Sequence, residues 1–192
     1  MKLSPRSFLS GLLSAAALFT MLTGCETTKP KRGGGFPEVS GPTSDPDEVK
    51  RRQMEATSKQ VARIAEGKVE YLIPRAQLAS AFIREFKDGT VVDKTMIRKV
   101  QESPKDKAVY YLVGLGLRNG MFRSMAIPLQ TSTDKSLYLS SNAERYIVTS
   151  VGCNFCYFSF EKNRIVGTTC EDNSGGSRCD LVVENTNGIF RK

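Results

Sequence analysis

Four cysteines near the C-terminus constrain this chain more than any other feature of its sequence. They lie within the last 40 of the 192 residues with the spacing C-x2-C-x13-C-x8-C, at Cys153, Cys156, Cys170 and Cys179. Four cysteines permit three pairings. Two cross-links in so short a segment would tie neighbouring strands and loops together, provided that the chain folds in an oxidising compartment.

The N-terminus predicts such a compartment. Lys2 and Arg6 supply positive charge, and residues 8–22 are uncharged and mostly apolar. A positive start followed by an apolar stretch of this length is typical of a secretory signal. The stretch is shorter than the roughly 20 apolar residues that a transmembrane helix needs. Export makes disulfides the expected state of the cysteines.

The tetrapeptide Leu22-Thr23-Gly24-Cys25 resembles a bacterial lipobox. The resemblance covers residues 1–25 and implies that the signal is cut before Cys25 and that Cys25 carries the acyl chains. Two or three acyl chains are enough for stable attachment to a lipid bilayer. Glu26 follows in place of the aspartate that is associated with retention at the inner membrane. We therefore expect attachment to the outer membrane, facing the periplasm or the cell surface.

This assignment divides the chain into three parts. Residues 1–24 are the signal peptide, 25–46 are the lipidated cysteine and a Gly- and Pro-rich flexible tether, and 47–192 form a single α+β domain. Loss of Lys2 and Arg6 with the signal lowers the formal net charge from +8 to +6. The remaining positive charge is spread along the chain, whereas nucleic-acid-binding proteins concentrate it on one face, so we expect no nucleic-acid partner.

The spacing of apolar residues changes from helical to strand-like near residue 108. Helical spacing predicts a peripheral helix over 46–66, a second helix over 75–87 packed on the core, and a short third helix over 95–102. Beyond that point, alternating runs and the turn signal Asn119-Gly120 predict strands. The predicted strands are 109–113, 121–130, 137–139, 145–151, 155–160, 165–170 and 181–184. We expect an α+β fold in which two or three N-terminal helices pack on an antiparallel sheet of five to seven strands, with disulfides at its C-terminal end.

Gly114 and Gly116 lie inside the first predicted strand. They lack the third glycine and the following helix of a nucleotide-binding loop. Glycines inside a strand mark a bulge or a place where another part of the chain comes close, and we expect that role here.

A hairpin register predicts how the cysteines pair. The runs on either side of residues 161–164 read as adjacent antiparallel strands, and a three-residue loop at 162–164 would place Cys156 opposite Cys170. Facing residues have Cβ atoms about 4.5–5.5 Å apart, close to what a disulfide can bridge. A two-residue turn would shift the register by one residue. The predicted disulfides are Cys156–Cys170 and Cys153–Cys179.

Two other roles for the cysteines stay open at this point. The motif Cys153-Asn154-Phe155-Cys156 could serve thiol–disulfide exchange, but its reactive thiol would need a lowered pKa, commonly from a helix N-terminus, and a strand pattern follows. Four thiolates could hold zinc, although eight residues between the last two cysteines is a wide spacing. Structural disulfides are the favoured interpretation.

The absence of histidine limits the chemistry available to this chain. It removes Ser-His-Asp and Cys-His nucleophiles, histidine bases and histidine-ligated metals. The carboxylates that could serve glycan hydrolysis are Glu144, Glu161, Glu171 and Asp172. No pattern in the sequence pairs them.

These observations favour a non-enzymatic lipoprotein of the cell envelope, with a binding or structural role and no cofactor or metal. Its partners would be the lipid bilayer, through Cys25, and an envelope protein or glycan. The alternative is an envelope enzyme that acts by thiol–disulfide exchange through Cys153 and Cys156 or by carboxylate-based glycan hydrolysis.

Overall fold

A computed structural model describes residues 46–171 and 175–190. These residues belong to one compact unit of the chain, Pro42–Lys192. The predicted signal peptide, the lipobox with Cys25 and nearly all of the predicted tether lie outside the described residues, as does Asp172.

The described part of the chain forms two helices and ten strands. The helices are α1 (Pro46–Thr57) and α2 (Arg75–Phe86). The strands are β1 (Ser58–Ala65), β2 (Lys68–Tyr71), β3 (Val91–Val100), β4 (Val109–Arg118), β5 (Met121–Thr131), β6 (Ser136–Ser140), β7 (Arg145–Val151), β8 (Cys156–Glu161), β9 (Arg164–Cys170) and β10 (Arg178–Glu184). Neither of these helices is long and apolar enough to cross a membrane.

Strand β5 organises the larger sheet, in which every pairing is antiparallel. One of its edges pairs with β4, which in turn pairs with β3. The other edge pairs with β7 near the start of β5 and with β6 at its end. β10 continues the sheet beyond β7, and β1 and β2 continue it beyond β6. Because β5 changes partners along its length, the sheet separates into two arms and is curled.

The predicted α+β fold is wrong. The described residues are mostly strand, and of the two helices only α2 packs broadly on the sheet, so no layer of helices is formed. All seven strands predicted after residue 108 are present, and the helix predicted over 75–87 is confirmed as α2. The error lies before residue 108, where three strands were not predicted.

The helix predicted over 46–66 ends at Thr57, and the rest of that segment is β1. Val61 and Ile64 have a helical spacing, but β1 pairs with β6, more than 70 residues further along the chain. Gly67, which would suit a helix end, instead forms the β1–β2 turn together with Glu66, and both have positive φ angles. Long-range pairing has overridden the local preference for helix.

The predicted third helix over 95–102 is also a strand. It belongs to β3, which pairs with β4 from Val91↔Leu117 to Val100↔Val109. Met96, Ile97 and Val100 suit either structure, so a short apolar run could not decide between helix and strand.

Both faces of the β4–β5 ribbon are buried, which makes β4 a nearly continuous buried run. On one face, Leu112, Met125 and Ile127 pack against Leu78 and Phe82 of α2 in the first core cluster. On the other face, alternate residues of the same strands pack against the β8–β9 hairpin in a second cluster that includes Tyr111, Val113, Ala126, Phe158 and Ile165. Strands covered on both sides lose the polar–apolar alternation of half-exposed strands.

Gly114 and Gly116 have the role that the sequence predicts for them. A Cβ atom on Gly114 would lie 2.7 Å from the Phe82 ring, so the absence of a side chain lets α2 approach the sheet. A Cβ atom on Gly116 would lie 2.0 Å from the carbonyl oxygen of Val91, beside the irregular β3–β4 register at residues 92–94.

Charged groups fix the C-terminal end of α2 to the sheet. Asp88 accepts hydrogen bonds from the Thr90 hydroxyl (2.6 Å) and amide (3.0 Å), and it pairs with Arg123 at 2.7 Å and with Arg118 at 3.4 Å. Burial raises the pKa of Asp88, but the Thr90 hydrogen bonds and the two guanidinium groups outweigh it, so its pKa lies below the ordinary value. The carboxylate is therefore ionised near neutral pH, where it holds α2 against β5.

A methyl group at Gly114 tests the close approach of α2. We expect Gly114→Ala to lower the free energy of unfolding by about 1–3 kcal/mol, because Phe82 and the helix must shift to admit the new atom. Urea denaturation followed by circular dichroism measures the change. The control is Gly167→Ala in β9, where an added Cβ meets no atom within 4 Å and the change should stay within about 0.5 kcal/mol. Equal effects of the two substitutions would contradict the proposed contact.

Candidate functional site

The β8–β9 hairpin covers the second face of the larger sheet. Its turn has two residues, Lys162 and Asn163, both with positive φ angles, rather than the predicted three-residue loop. A register shift after Phe160↔Ile165 then brings Cys156 opposite Cys170, as the sequence predicts. The bulge compensates for the shorter turn, since it adds back the residue that the turn lacks.

The predicted disulfides are nevertheless wrong. The structure pairs Cys153 with Cys170 and Cys156 with Cys179. Facing residues of a hairpin share one face. Here that face packs on the main sheet, where each of the two facing cysteines meets and bonds to a cysteine outside the hairpin. One partner lies in the loop before β8 and the other in β10. The hairpin register alone could not place these two segments.

The arrangement of the sulfur atoms bears on both alternative roles of the cysteines. Cys153 and Cys156 belong to different disulfides, so they do not form the single cross-link of a redox-active C-x-x-C motif. The sulfur atoms of Cys153, Cys156 and Cys179 lie within 4.8 Å of one another. A zinc ion requires thiolates, and in this oxidised state all four cysteines are in disulfides, so the cluster cross-links the hairpin.

The turn of the hairpin is fixed by hydrogen bonds at the opposite end from the disulfides. Asn163 is buried; its side-chain oxygen accepts from the Glu102 amide at 2.8 Å, and its side-chain nitrogen donates to the Lys107 carbonyl at 3.3 Å. The Tyr111 hydroxyl donates to the Asn163 carbonyl at 3.0 Å. The hairpin is therefore held at both ends, which positions its middle over the sheet.

An apolar pocket of about 320 Å³ lies between this hairpin and strands β3 to β5. Alternate residues of a strand share a face, so Val113 and Leu115 point from β4 into the same space as Met96, their neighbour on β3. Phe155 and Phe158 close the pocket from the hairpin side. Pockets of this size, lined mostly by apolar groups, are typical of sites for small molecules.

Besides Tyr157, whose hydroxyl donates to Glu171, two polar side chains line the pocket at different depths. Ser124 of β5 is fully buried, and its hydroxyl has no hydrogen-bond partner among the described residues. Arg98 of β3 is exposed, and its guanidinium lies 4.7 Å from the centre of the Phe160 ring. No carboxylate in the described part of the chain forms an ion pair with it. Within the part of the chain that the structure describes, the pocket thus has a hydroxyl without a hydrogen-bond partner inside and a guanidinium without a carboxylate partner at its rim.

The carboxylates considered for glycan hydrolysis are engaged elsewhere. Glu144 accepts a hydrogen bond from the Tyr146 hydroxyl, and Glu171 accepts one from the Tyr157 hydroxyl at 3.3 Å. Glu161 faces Arg164 beside the hairpin turn. Burial and the neighbouring Glu144 carboxylate raise the pKa of Tyr146 above its ordinary value, so its phenol stays protonated and acts as a donor. None of these three carboxylates lines the apolar pocket, although Tyr157 does.

Comparisons of this chain with protein-family models, with curated proteins and with solved structures found no match.

Sequence reasoning did not single out Arg98, Ser124 or Met96. Arg98 and Met96 fall in the segment that was predicted as a helix, where their shared face could not be seen. Ser124 carried one usable signal, since it is a small polar residue between Phe122 and Ala126 on one face of β5.

Mapping of the unreduced protein tests the cross-links. Chymotrypsin cuts after Phe155 and trypsin cuts after Arg178 and within the hairpin turn, so every cysteine falls in a separate peptide. We expect mass spectrometry to find the pairs Cys153–Cys170 and Cys156–Cys179. Free thiols are alkylated first and the digestion is done at slightly acidic pH, where both proteases keep part of their activity, because Cys153 Sγ lies 3.7 Å from Cys179 Sγ and exchange requires thiolate. A peptide that links the two facing cysteines of the hairpin would overturn the assignment.

Proposed function

We propose that this protein is a lipoprotein of the bacterial cell envelope, held in the outer membrane by an acylated Cys25, whose folded domain binds a small apolar molecule. The N-terminal signal and lipobox support the anchor. The apolar pocket under the β8–β9 hairpin supports the binding function. The role is binding rather than catalysis.

The observation that carries the binding function is the unpaired hydroxyl of Ser124 inside an apolar pocket. A buried hydroxyl without a partner costs free energy, and this one lines an otherwise apolar space that a small molecule could enter. A ligand with an oxygen or nitrogen at that point would supply the missing hydrogen bond.

The hairpin is held at both ends, which favours a pocket that is already formed before the ligand binds. The disulfides fix one end and Asn163 fixes the other. A preformed pocket avoids the cost of ordering the chain on binding.

The anchor is tested by substitution of the lipobox cysteine. We expect Cys25→Ser to abolish incorporation of radiolabelled palmitate and cleavage of the signal peptide, because the acylated side chain is the substrate of the processing step that the resemblance implies. Glu26→Gln, at the next position, should retain the label. Labelling of both variants to the level of the unsubstituted protein would show that Cys25 is not the acylated residue.

The pocket is tested with an uncharged apolar fluorophore, N-phenyl-1-naphthylamine. The protein used is residues 26–192, exported through a non-lipoprotein signal, which keeps every described residue and removes the acyl chains that could themselves fill the pocket. We expect saturable binding of one fluorophore per chain, seen as a rise in its fluorescence.

Filling the pocket should weaken this binding at least tenfold. Leu115→Phe replaces a side chain that lines the pocket with a larger aromatic one. The control is Leu117→Phe, two residues further along the same strand, where the side chain is exposed and does not line the pocket. Leu117→Phe should bind as the unsubstituted protein does. Failure of the fluorophore to saturate, or an equal effect of both variants, would refute binding in this pocket.

A further inference from the structure

We propose that the ligand of this pocket is an elongated single-chain carboxylate, with its carboxylate on Arg98 at the rim and a second oxygen on its chain bonded to Ser124 inside. This inference rests on the proposed binding function and names its ligand class. It follows from the two polar groups of the pocket, their different burial and their separation along the sheet.

Arg98 supplies the charge preference. It is the one charged side chain that lines the pocket within the described part of the chain, and it has no carboxylate partner there. Its position over the Phe160 ring holds the guanidinium against the hairpin. A planar guanidinium binds a carboxylate through two parallel hydrogen bonds, which a neutral or cationic group cannot reproduce.

Ser124 supplies a second recognition point. Its side chain is fully buried and lies on β5, two strands away from Arg98, with Leu115 of β4 facing it. An unpaired hydroxyl favours a ligand that can hydrogen-bond at that depth over a purely hydrocarbon chain.

The strand register gives the distance between the two points. Leu115 faces Ser124 on one side and Lys94 on the other, and Lys94 lies four residues before Arg98. Four residues of strand span roughly 13 Å along the strand, and the two strand spacings from β3 to β5 add roughly 10 Å across it, so the two backbone positions lie roughly 16 Å apart. One ligand that reaches both groups must therefore be extended, and the apolar side chains between them suit a hydrocarbon chain.

The protein of residues 26–192 tests this with three probes of equal chain length: dodecanol, dodecanoate and 12-hydroxydodecanoate. Each is titrated below its aggregation concentration, and displacement of N-phenyl-1-naphthylamine reports the affinity. We expect 12-hydroxydodecanoate to bind most tightly, dodecanoate next and dodecanol least, with about fivefold between successive probes.

Substitutions assign these preferences to the two residues. Arg98→Gln should remove the preference for dodecanoate over dodecanol, whereas Lys99→Gln, the adjacent residue on the opposite face of β3, removes the same charge and should keep it. Ser124→Ala should remove the preference for the terminal hydroxyl. It should also raise the melting temperature of the free protein, because an unpaired buried hydroxyl is lost.

The outcomes separate this inference from the proposed function. If the fluorophore binds but the three probes compete equally, or if Arg98→Gln and Ser124→Ala leave the preferences intact, the pocket is real and the carboxylate assignment is wrong. If neither the fluorophore nor any probe binds, the proposed function itself fails. A two-chain phospholipid that displaces the fluorophore better than 12-hydroxydodecanoate would also overturn the single-chain assignment.

Discussion

The burial of both faces of the β4–β5 ribbon is the constraint on which the rest of the structure depends. A strand pair that is apolar on both sides needs a cover on each. Helix α2 covers one face, and Gly114 lets the Phe82 ring come close enough to do so. The β8–β9 hairpin covers the other. The position of the cysteines and the apolar pocket both follow from the packing of this hairpin.

Helix α2 and the β8–β9 hairpin are held on the sheet by different interactions because they differ in size. Helix α2 buries a broad apolar face and adds ion pairs at its end through Glu85 and Asp88. The hairpin is small, and a two-stranded hairpin alone is marginally stable in water. Its disulfides close segments with sequence separations of 17 and 23 residues, each stabilising the fold by about 3 kcal/mol on the chain-entropy account. Asn163 fixes the turn at the other end.

The pocket exists because the β8–β9 hairpin contacts the sheet at both of its ends and through its aromatic side chains, but does not fill all of the space between these contacts. Phe155 packs on Phe122 with ring centroids 4.2 Å apart, and Phe160 packs on Tyr111 at 5.6 Å. Met96 and Leu115 then border the unfilled volume beside these contacts. The same packing leaves the buried Ser124 hydroxyl without a partner among the described residues, so the proposed binding function and the stability of the hairpin share one interface.

The sequence by itself determined the local features: the strands after residue 108, the Asn119-Gly120 turn and helix α2. Each depends on residues that are near one another in the chain or on a turn type that needs positive φ angles. Tertiary structure alone decided that residues 58–65 and 91–100 are strands, since their partners are distant or their apolar spacing is ambiguous. It also decided the disulfides and the pocket, because both depend on how the hairpin packs on a sheet whose residues are far away in sequence.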